Sequence, residues 1–132
     1  MTPRVPWIGL TAMALAACSS LAPHETRPSL ERYLQYAGPP IQRFSYRDSD
    51  YGWQTAAADK LVMFVARDAY LLGVSPPCSQ LQFAQHIRLN TAISGSVSRY
   101  DYVLFDDQKC LIDEIRPVDY RRMQQDAAHN SG

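Results

Sequence analysis

The sequence predicts a β-dominated α+β fold: a small, mostly antiparallel sheet or barrel of five or six strands with two or three short helices. Two short apolar runs, residues 61–66 and 69–74, are rich in β-branched and aromatic residues and are interrupted by Arg67 and Asp68. Later segments alternate apolar and polar residues around a second turn. Two consecutive strands joined by a short turn run in opposite directions. The two apolar runs and the later alternating segments therefore each predict an antiparallel hairpin.

A signal segment precedes the predicted fold. Arg4 supplies a positive start, residues 5–14 form an apolar core, and small residues lead into Cys18. The apolar run is too short for a membrane-spanning helix, which needs about 20 residues. The stretch 15–18 resembles a bacterial lipoprotein signal, which implies cleavage after residue 17 and acylation of Cys18.

The acyl chains of a lipoprotein would attach the chain stably to a membrane. Ser19, not aspartate, follows the cysteine. By resemblance to sorted Gram-negative lipoproteins, this implies an outer-membrane lipoprotein facing the periplasm. Two alternatives remain open: an ordinary secretory signal cleaved near residues 14–16, which gives a soluble periplasmic protein, or a cytoplasmic protein with a chance apolar start.

The predicted organisation is a signal peptide at 1–17, a tether at 18–28, one globular domain at 29–128 and a disordered tail at 129–132. Removing the first 17 of 132 residues leaves 115, which suits one domain. The remainder has 12 basic and 13 acidic residues. A chain with so little net charge lacks the basic surface expected of a nucleic-acid-binding protein or of a polybasic membrane binder.

The domain begins with a predicted helix over residues 29–37. Ser29 can cap it, and Gly38 with the following prolines ends it. Its apolar face at helical spacing consists of Leu30, Tyr33, Leu34 and Ala37.

A weak strand at 41–47 and a turn at 48–52 precede Trp53, which we expect to anchor the core. The turn lacks the further ligands and the terminal glutamate of a calcium loop, so a plain turn is favoured. The hairpin that follows, 61–66 with 69–74, lacks the Asn-Gly signal of tight turns. We therefore expect a loop longer than two residues.

Ser75 and the two prolines after it indicate a helix entrance with Cys78 at its start, and Leu81, Ala84 and Phe83 would form the buried face. Residues 86–91 alternate as a strand with Ile87 and Leu89 inward, and 94–96 form a loop.

A second hairpin pairs residues 100–105 with 110–115 around 106–109. Pro117 is expected to end the last strand. Asp119 can cap a final helix from residue 120 to about 127, with Arg121, Arg122 and Gln124 exposed.

The cysteines predict one disulfide. With Cys18 acylated, Cys78 and Cys110 form an even pair in an oxidising compartment. The alternative is two separately buried thiols. A catalytic thiol is disfavoured because the chain has no Cys-x-x-Cys and neither cysteine has an obvious base beside it.

These residues resemble a family of small Gram-negative lipoproteins of unknown function, a domain-of-unknown-function type with a paired-cysteine β-rich domain. The resemblance covers most of 41–119. It implies an envelope location and a disulfide-linked domain, and it brings no activity, substrate or catalytic residue. The residues that carry it are Trp53, the runs 61–66 and 69–74, Cys78, Leu81, Ala84, Cys110, Ile112, Ile115 and Pro117.

The sequence offers no catalytic, metal or cofactor site, and we expect no cofactor. His86 is the one histidine in the predicted domain and has no spaced partner. Asp113 and Glu114 would point to opposite faces of a strand, although Asp113 could face Asp101 across the hairpin. The eight tyrosines suit either packing or a binding surface.

The expected function is therefore a lipid-anchored, non-catalytic interaction or structural module of the cell envelope, with the membrane, an envelope protein or the cell wall as partner. One alternative is a periplasmic small-ligand-binding module with an aromatic barrel interior or sheet face. The other is a carboxylate-based envelope hydrolase.

Overall fold

The computed structural model describes residues 28–78 and 80–130, together with the isolated positions 3 and 9. Cys18, nearly all of the predicted signal segment and tether, and the last two residues lie outside this part of the chain. Among the described residues, no helix is long and apolar enough to cross a membrane.

A six-stranded antiparallel sheet, curled into a half-barrel, dominates the structure and confirms the predicted fold class. Across the described ranges the strands are β1 (Arg43–Ser45), β2 (Gly52–Ala57), β3 (Lys60–Val65), β4 (Asp68–Val74), β5 (Arg88–Asn90), β6 (Ser96–Ser98), β7 (Tyr102–Phe105) and β8 (Gln108–Val118). The large sheet has the order β2-β3-β4-β8-β7-β5. The long strand β8 unites its two halves by pairing with β7 and then with β4.

The remaining strands, β1 and β6, form a two-stranded ribbon over the inner face of the curled sheet. Phe44 and Val97 are opposite each other in the ribbon, and both are buried in the large core. The Phe44 ring stacks on Tyr70 of β4, with centroids 4.0 Å apart and planes 8° apart. The ribbon therefore packs against the inner face of the sheet through these apolar side chains.

The sheet separates two apolar cores, because successive side chains of a strand point to opposite faces. On β3, Leu61 and Met63 face the inner core, whereas Val62 faces the outer core beneath the helices. Burying a large apolar side chain of this kind contributes about 1.5–3 kcal/mol. A register shift between β4 and β8 places Val74 opposite Ile112 and thereby keeps Ile112 in the inner core.

Two helices pack on the outer face: α1 (Leu30–Gln35) and α2 (Tyr120–Asn130). Both predicted caps are confirmed. The Arg32 backbone N–H donates to Ser29 Oγ at 3.4 Å, and the Arg122 N–H donates to Asp119 Oδ1 at 3.2 Å.

Two details of the helices differ from the expectation. Leu34 is 39% exposed, because the short α1 buries only Tyr33 completely. Helix α2 continues to Asn130, so the predicted end near residue 127 is wrong, and the first two residues of the predicted tail are helical.

The predicted hairpins are present, but the expectation of a long first loop is wrong. Val65 pairs with Asp68, which leaves only Ala66 and Arg67 between β3 and β4. The β7–β8 hairpin is equally tight, with a two-residue loop at residues 106–107. The first loop residue in each case has a positive φ, 56° at Ala66 and 49° at Asp106. A residue other than glycine thus supplies the turn conformation that the Asn-Gly rule associates with glycine or asparagine.

Ala66→Gly is expected to stabilise the domain by about 0.5–1 kcal/mol, because alanine pays a steric cost at positive φ that glycine avoids. Chemical denaturation measures this difference. The matched control is Ala58→Gly in the β2–β3 turn, where Ala58 has no positive φ. Glycine there should cost up to about 1 kcal/mol through the entropy of the unfolded chain. A destabilised Ala66→Gly variant would contradict the turn assignment.

The segment after β4 differs from the predicted helix entrance. Cys78 follows a turn at residues 76–77, and the helical part is a single 3₁₀ turn at Leu81–Phe83. Leu81 is fully buried as expected, but Phe83 is 69% exposed. Because a 3₁₀ turn of three residues presents less of its surface to the core than an α-helix, only one of the predicted face residues is fully covered.

Pro117 lies inside β8 and does not end it. Its carbonyl oxygen accepts the Gly38 N–H at 2.7 Å. The nitrogen and the carbonyl of one residue in an antiparallel strand point to the same side, so the missing N–H of Pro117 faces the segment at Gly38. The ladder with β4 loses no donor, which is why a proline is tolerated here.

Candidate functional site

An open groove of about 750 Å³ lies on the outer face, where α2 passes the β3–β4 hairpin. We call it the helix–hairpin groove. Its volume lies within the range typical of small-ligand sites, roughly 300–1,000 Å³. Its lining is Gln54, Phe64, Ala66, Arg67, Asp68, Tyr120, Arg121 and Gln124.

The aromatic part of the groove is built by strand periodicity and by the start of α2. Phe64 belongs to the outer-face set of β3, and Tyr120 is the first residue of α2. Their rings meet edge to face, with centroids 5.0 Å apart and an angle of 62° between the planes. This contact, together with the buried Met123 one turn later, holds the helix against the hairpin.

The charged part of the groove consists of Arg67 from the hairpin loop and Arg121 from α2, with Asp68 as the one acidic side chain. All three are exposed. Within residues 28–78 and 80–130, neither guanidinium forms a salt bridge or a side-chain hydrogen bond. The groove therefore carries an excess of unpaired positive charge.

Gln54 of β2 contributes an amide whose carbonyl oxygen is already engaged. The hydroxyl of the buried Tyr33 donates to Gln54 Oε1 at 3.4 Å, which leaves the amide N–H groups free. Burial, together with a smaller effect of the nearby Tyr120, raises the pKa of Tyr33 from 10.0 to about 12.

The raised Tyr33 pKa predicts an alkaline loss of stability. The unfolded chain releases this proton near its ordinary pKa, whereas the folded chain retains it, so the free energy of unfolding falls as the pH rises from 10 to about 12. Two pKa units correspond to about 2–3 kcal/mol. Tyr33→Phe should remove the part of this fall that Tyr33 contributes while changing stability little at pH 7. Equal pH dependence for both proteins would contradict the assignment.

The two helices are also joined to each other. The Tyr36 hydroxyl donates to Asp126 Oδ2 at 2.5 Å, and this bond to a carboxylate raises the pKa of Tyr36. Arg32 reaches the Met123 carbonyl oxygen at 3.5 Å. These contacts position α2 from the side opposite the hairpin, so the groove is formed by a helix that is supported on both sides.

Comparison with protein-family models matches residues 3–131 to a family of unknown function, DUF6491. The chain belongs to DUF6491. No curated protein and no solved structure matches it. Because the family has no known function, the function of this DUF6491 domain has to be argued from its own residues.

The predicted disulfide is present in the DUF6491 domain. Cys78 and Cys110 are bonded, with their Cα atoms 5.8 Å apart and a sequence separation of 32. Both are buried. Cys110 lies on β8 opposite Val103, so the bond joins the segment after β4 to the middle of the sheet. It lies away from the groove, and its role is structural. The predicted lipidation site, Cys18, lies outside the described residues.

The two aspartates that could have faced each other are separated in the DUF6491 domain. Asp101 is buried, and its backbone carbonyl accepts the Ile112 N–H, so Ile112 and not Asp113 is its neighbour across the strands. Asp113 is exposed and accepts a hydrogen bond from Ser75 Oγ at 3.1 Å. The pairing that motivated a carboxylate hydrolase is therefore wrong.

The tyrosines divide between packing and exposure. Tyr33 and Tyr46 are buried, and Tyr70 stacks in the core, whereas Tyr100 is 66% exposed. A second groove of about 470 Å³ runs along β5, and there the Tyr46 hydroxyl donates to Asp48 Oδ1 at 3.1 Å.

In the described part of the chain, no group of three or more His, Cys, Asp or Glu residues could hold a metal ion.

The sequence did not single out the helix–hairpin groove. It predicted Arg121 and Gln124 as exposed helix residues and placed Arg67 in a turn. The sequence does show a capped helix and, separately, an arginine between two strands. That the helix and this arginine lie side by side depends on the strand register and on how the helix packs on the sheet, which the sequence does not show.

Proposed function

We propose that this chain is a non-catalytic binding module of the cell envelope, anchored by lipid on Cys18, that binds its partner at the helix–hairpin groove. One observation carries the proposal: two unpaired guanidiniums lie beside an aromatic pair in an open groove of about 750 Å³. The surrounding strands and the helix supply rigid support, which a binding site needs.

The anchor places constraints on the partner. Residues 18 to 28 form the proposed tether, and eleven residues reach at most about 40 Å when fully extended. Helix α1 follows directly and packs on the same outer face of the sheet as α2. The groove therefore lies on the same face of the sheet as the start of the described domain, and we expect an anchored chain to present it to a partner in the same membrane or in the adjacent cell wall.

Small-ligand binding is a second candidate, and the groove volume favours it. The sequence predicted such a ligand either in an aromatic barrel interior or on a sheet face. The inner face is instead occupied by fully buried side chains such as Leu61, Leu72 and Val97. The outer groove offers a compact ligand both apolar and charged contacts.

In-cell crosslinking followed by mass spectrometry tests the envelope module. The wild-type chain should fractionate with membranes and yield a discrete adduct, whereas Cys18→Ser should appear in the soluble periplasmic fraction and lose the adduct. Cys18→Ser that remains with the membrane would contradict the lipid anchor. A wild-type protein without any adduct would contradict the interaction function.

A further inference from the structure

We infer that the helix–hairpin groove is a binding site for an acidic saccharide, with Arg67 and Arg121 pairing with its carboxylate or phosphate oxygens. This inference rests on the proposed binding function and names its ligand class. It combines three properties of the lining: unpaired cations, an aromatic pair and free amide groups.

The charges select an oxyanion. Arg67 and Arg121 reach the groove from two different elements, the hairpin loop and α2, and neither has an acidic partner in the described part of the chain. Asp68 offsets one of the two positive charges, so the groove retains a net positive charge. A guanidinium presents a planar set of N–H donors that matches the two oxygens of a carboxylate or phosphate.

The uncharged lining suits a sugar. Phe64 and Tyr120 offer an aromatic surface to the apolar side of a sugar ring, and Tyr120 adds a polar hydroxyl. Gln124 is exposed at the groove, and Gln54 retains its amide N–H donors after accepting from Tyr33. Amides pair well with hydroxyl groups, because both can donate and accept hydrogen bonds.

The first turn of α2 does not by itself supply this site. Asp119 already accepts from the Arg122 N–H through its side chain, and its carbonyl oxygen accepts from the Met123 N–H. The anion preference is therefore assigned to the two guanidiniums, and it should disappear when they are neutralised.

Adjacent arginines of α2 provide a matched pair of variants. Arg121 and Arg122 are both exposed, but only Arg121 lines the helix–hairpin groove, whereas Arg122 lines a different depression beside α1. The test is calorimetric titration of the full-length mature protein in nonionic detergent. The probes are trigalacturonic acid for carboxylate, glucose 6-phosphate for phosphate, and neutral maltotriose.

At least one acidic probe should bind more tightly than maltotriose. Arg67→Gln and Arg121→Gln should each weaken that binding about tenfold, whereas Arg122→Gln should leave it unchanged. Added salt should also weaken it. The probe that binds better identifies the source of the oxyanion, and either result supports the inference.

Three results would overturn the inference: no binding of either acidic probe, equal binding of maltotriose, or an equal loss in Arg121→Gln and Arg122→Gln. These results would leave the proposed binding function standing. If the groove bound a protein instead of an acidic saccharide, the in-cell adduct would still form. A groove without any adduct in cells would instead overturn the binding function itself.

Discussion

Replacing Cys78 and Cys110 together with alanine is expected to lower the free energy of unfolding by about 3–4 kcal/mol. The bond closes a loop with a sequence separation of 32, so its loss releases considerable entropy to the unfolded chain. A loss of this size is a large part of the stability of a small domain. Denaturant titration of the variant and the wild type measures it directly.

The reduced wild-type protein is the control for this experiment. It should match the double alanine variant, because reduction breaks the same connection while leaving both side chains in place. A loss below about 1 kcal/mol would show that the unfolded chain is already constrained without the bond, and it would contradict the structural role.

Asp101→Ala is expected to cost about 3 kcal/mol, because it removes the acceptor of several hydrogen bonds made to one buried carboxylate. Oδ2 accepts from the Ser98 N–H at 2.7 Å and from Ser98 Oγ at 2.9 Å, and Oδ1 accepts from the Ala92 N–H at 3.1 Å. These bonds connect the end of β6 to the segment after β5. Their loss leaves partly buried donors unpaired and loosens the ribbon from the sheet.

Asp101→Asn tests whether the domain is stabilised by the volume of the Asp101 side chain or by its two acceptor oxygens. Asparagine keeps the volume but has only one acceptor oxygen, so it should also destabilise the domain. Asp107→Ala in the exposed β7–β8 loop is the matched control and should change stability by less than about 0.5 kcal/mol. Equal midpoints of thermal unfolding for Asp101→Ala and Asp107→Ala would refute the role assigned to Asp101.

Local signals were sufficient to predict part of this fold. Ser29 and Asp119 cap the two helices as expected, because capping depends on bonds within three residues. The apolar runs at 61–66 and 69–74 became the hairpin of β3 and β4, since β-branched residues favour strands, although the loop between them is shorter than the sequence predicted.

Strands defined by distant partners could not be predicted in the same way. Strand β2 consists mainly of small and polar residues at an edge of the sheet, and β6 has Val97 as its only apolar residue. Each becomes a strand by pairing, β2 with β3 and β6 with β1. The position of Pro117 within β8 likewise depends on the segment at Gly38, which is far away in the sequence.

In the candidate site, too, local features could be predicted from the sequence, whereas features that depend on distant residues could not. Composition and capping indicate that Arg121 and Gln124 are exposed, and the interruption between the apolar runs places Arg67 in a turn. Their convergence with Phe64 depends on the face that β3 turns toward α2. The burial of Asp101 was missed for a similar reason, because its hydrogen-bond partners lie at the end of β6 and in the segment after β5.

Position-specific photo-crosslinking in cells tests most directly whether the helix–hairpin groove is the binding surface. A photoreactive residue would replace Gln124, which lines the groove, and in a second protein Gln108, which is exposed in the β7–β8 hairpin. The proposed function predicts a discrete adduct at position 124 that is absent at 108 and lost in Arg67→Gln/Arg121→Gln. The same adduct at both positions, or at 108 alone, would contradict it.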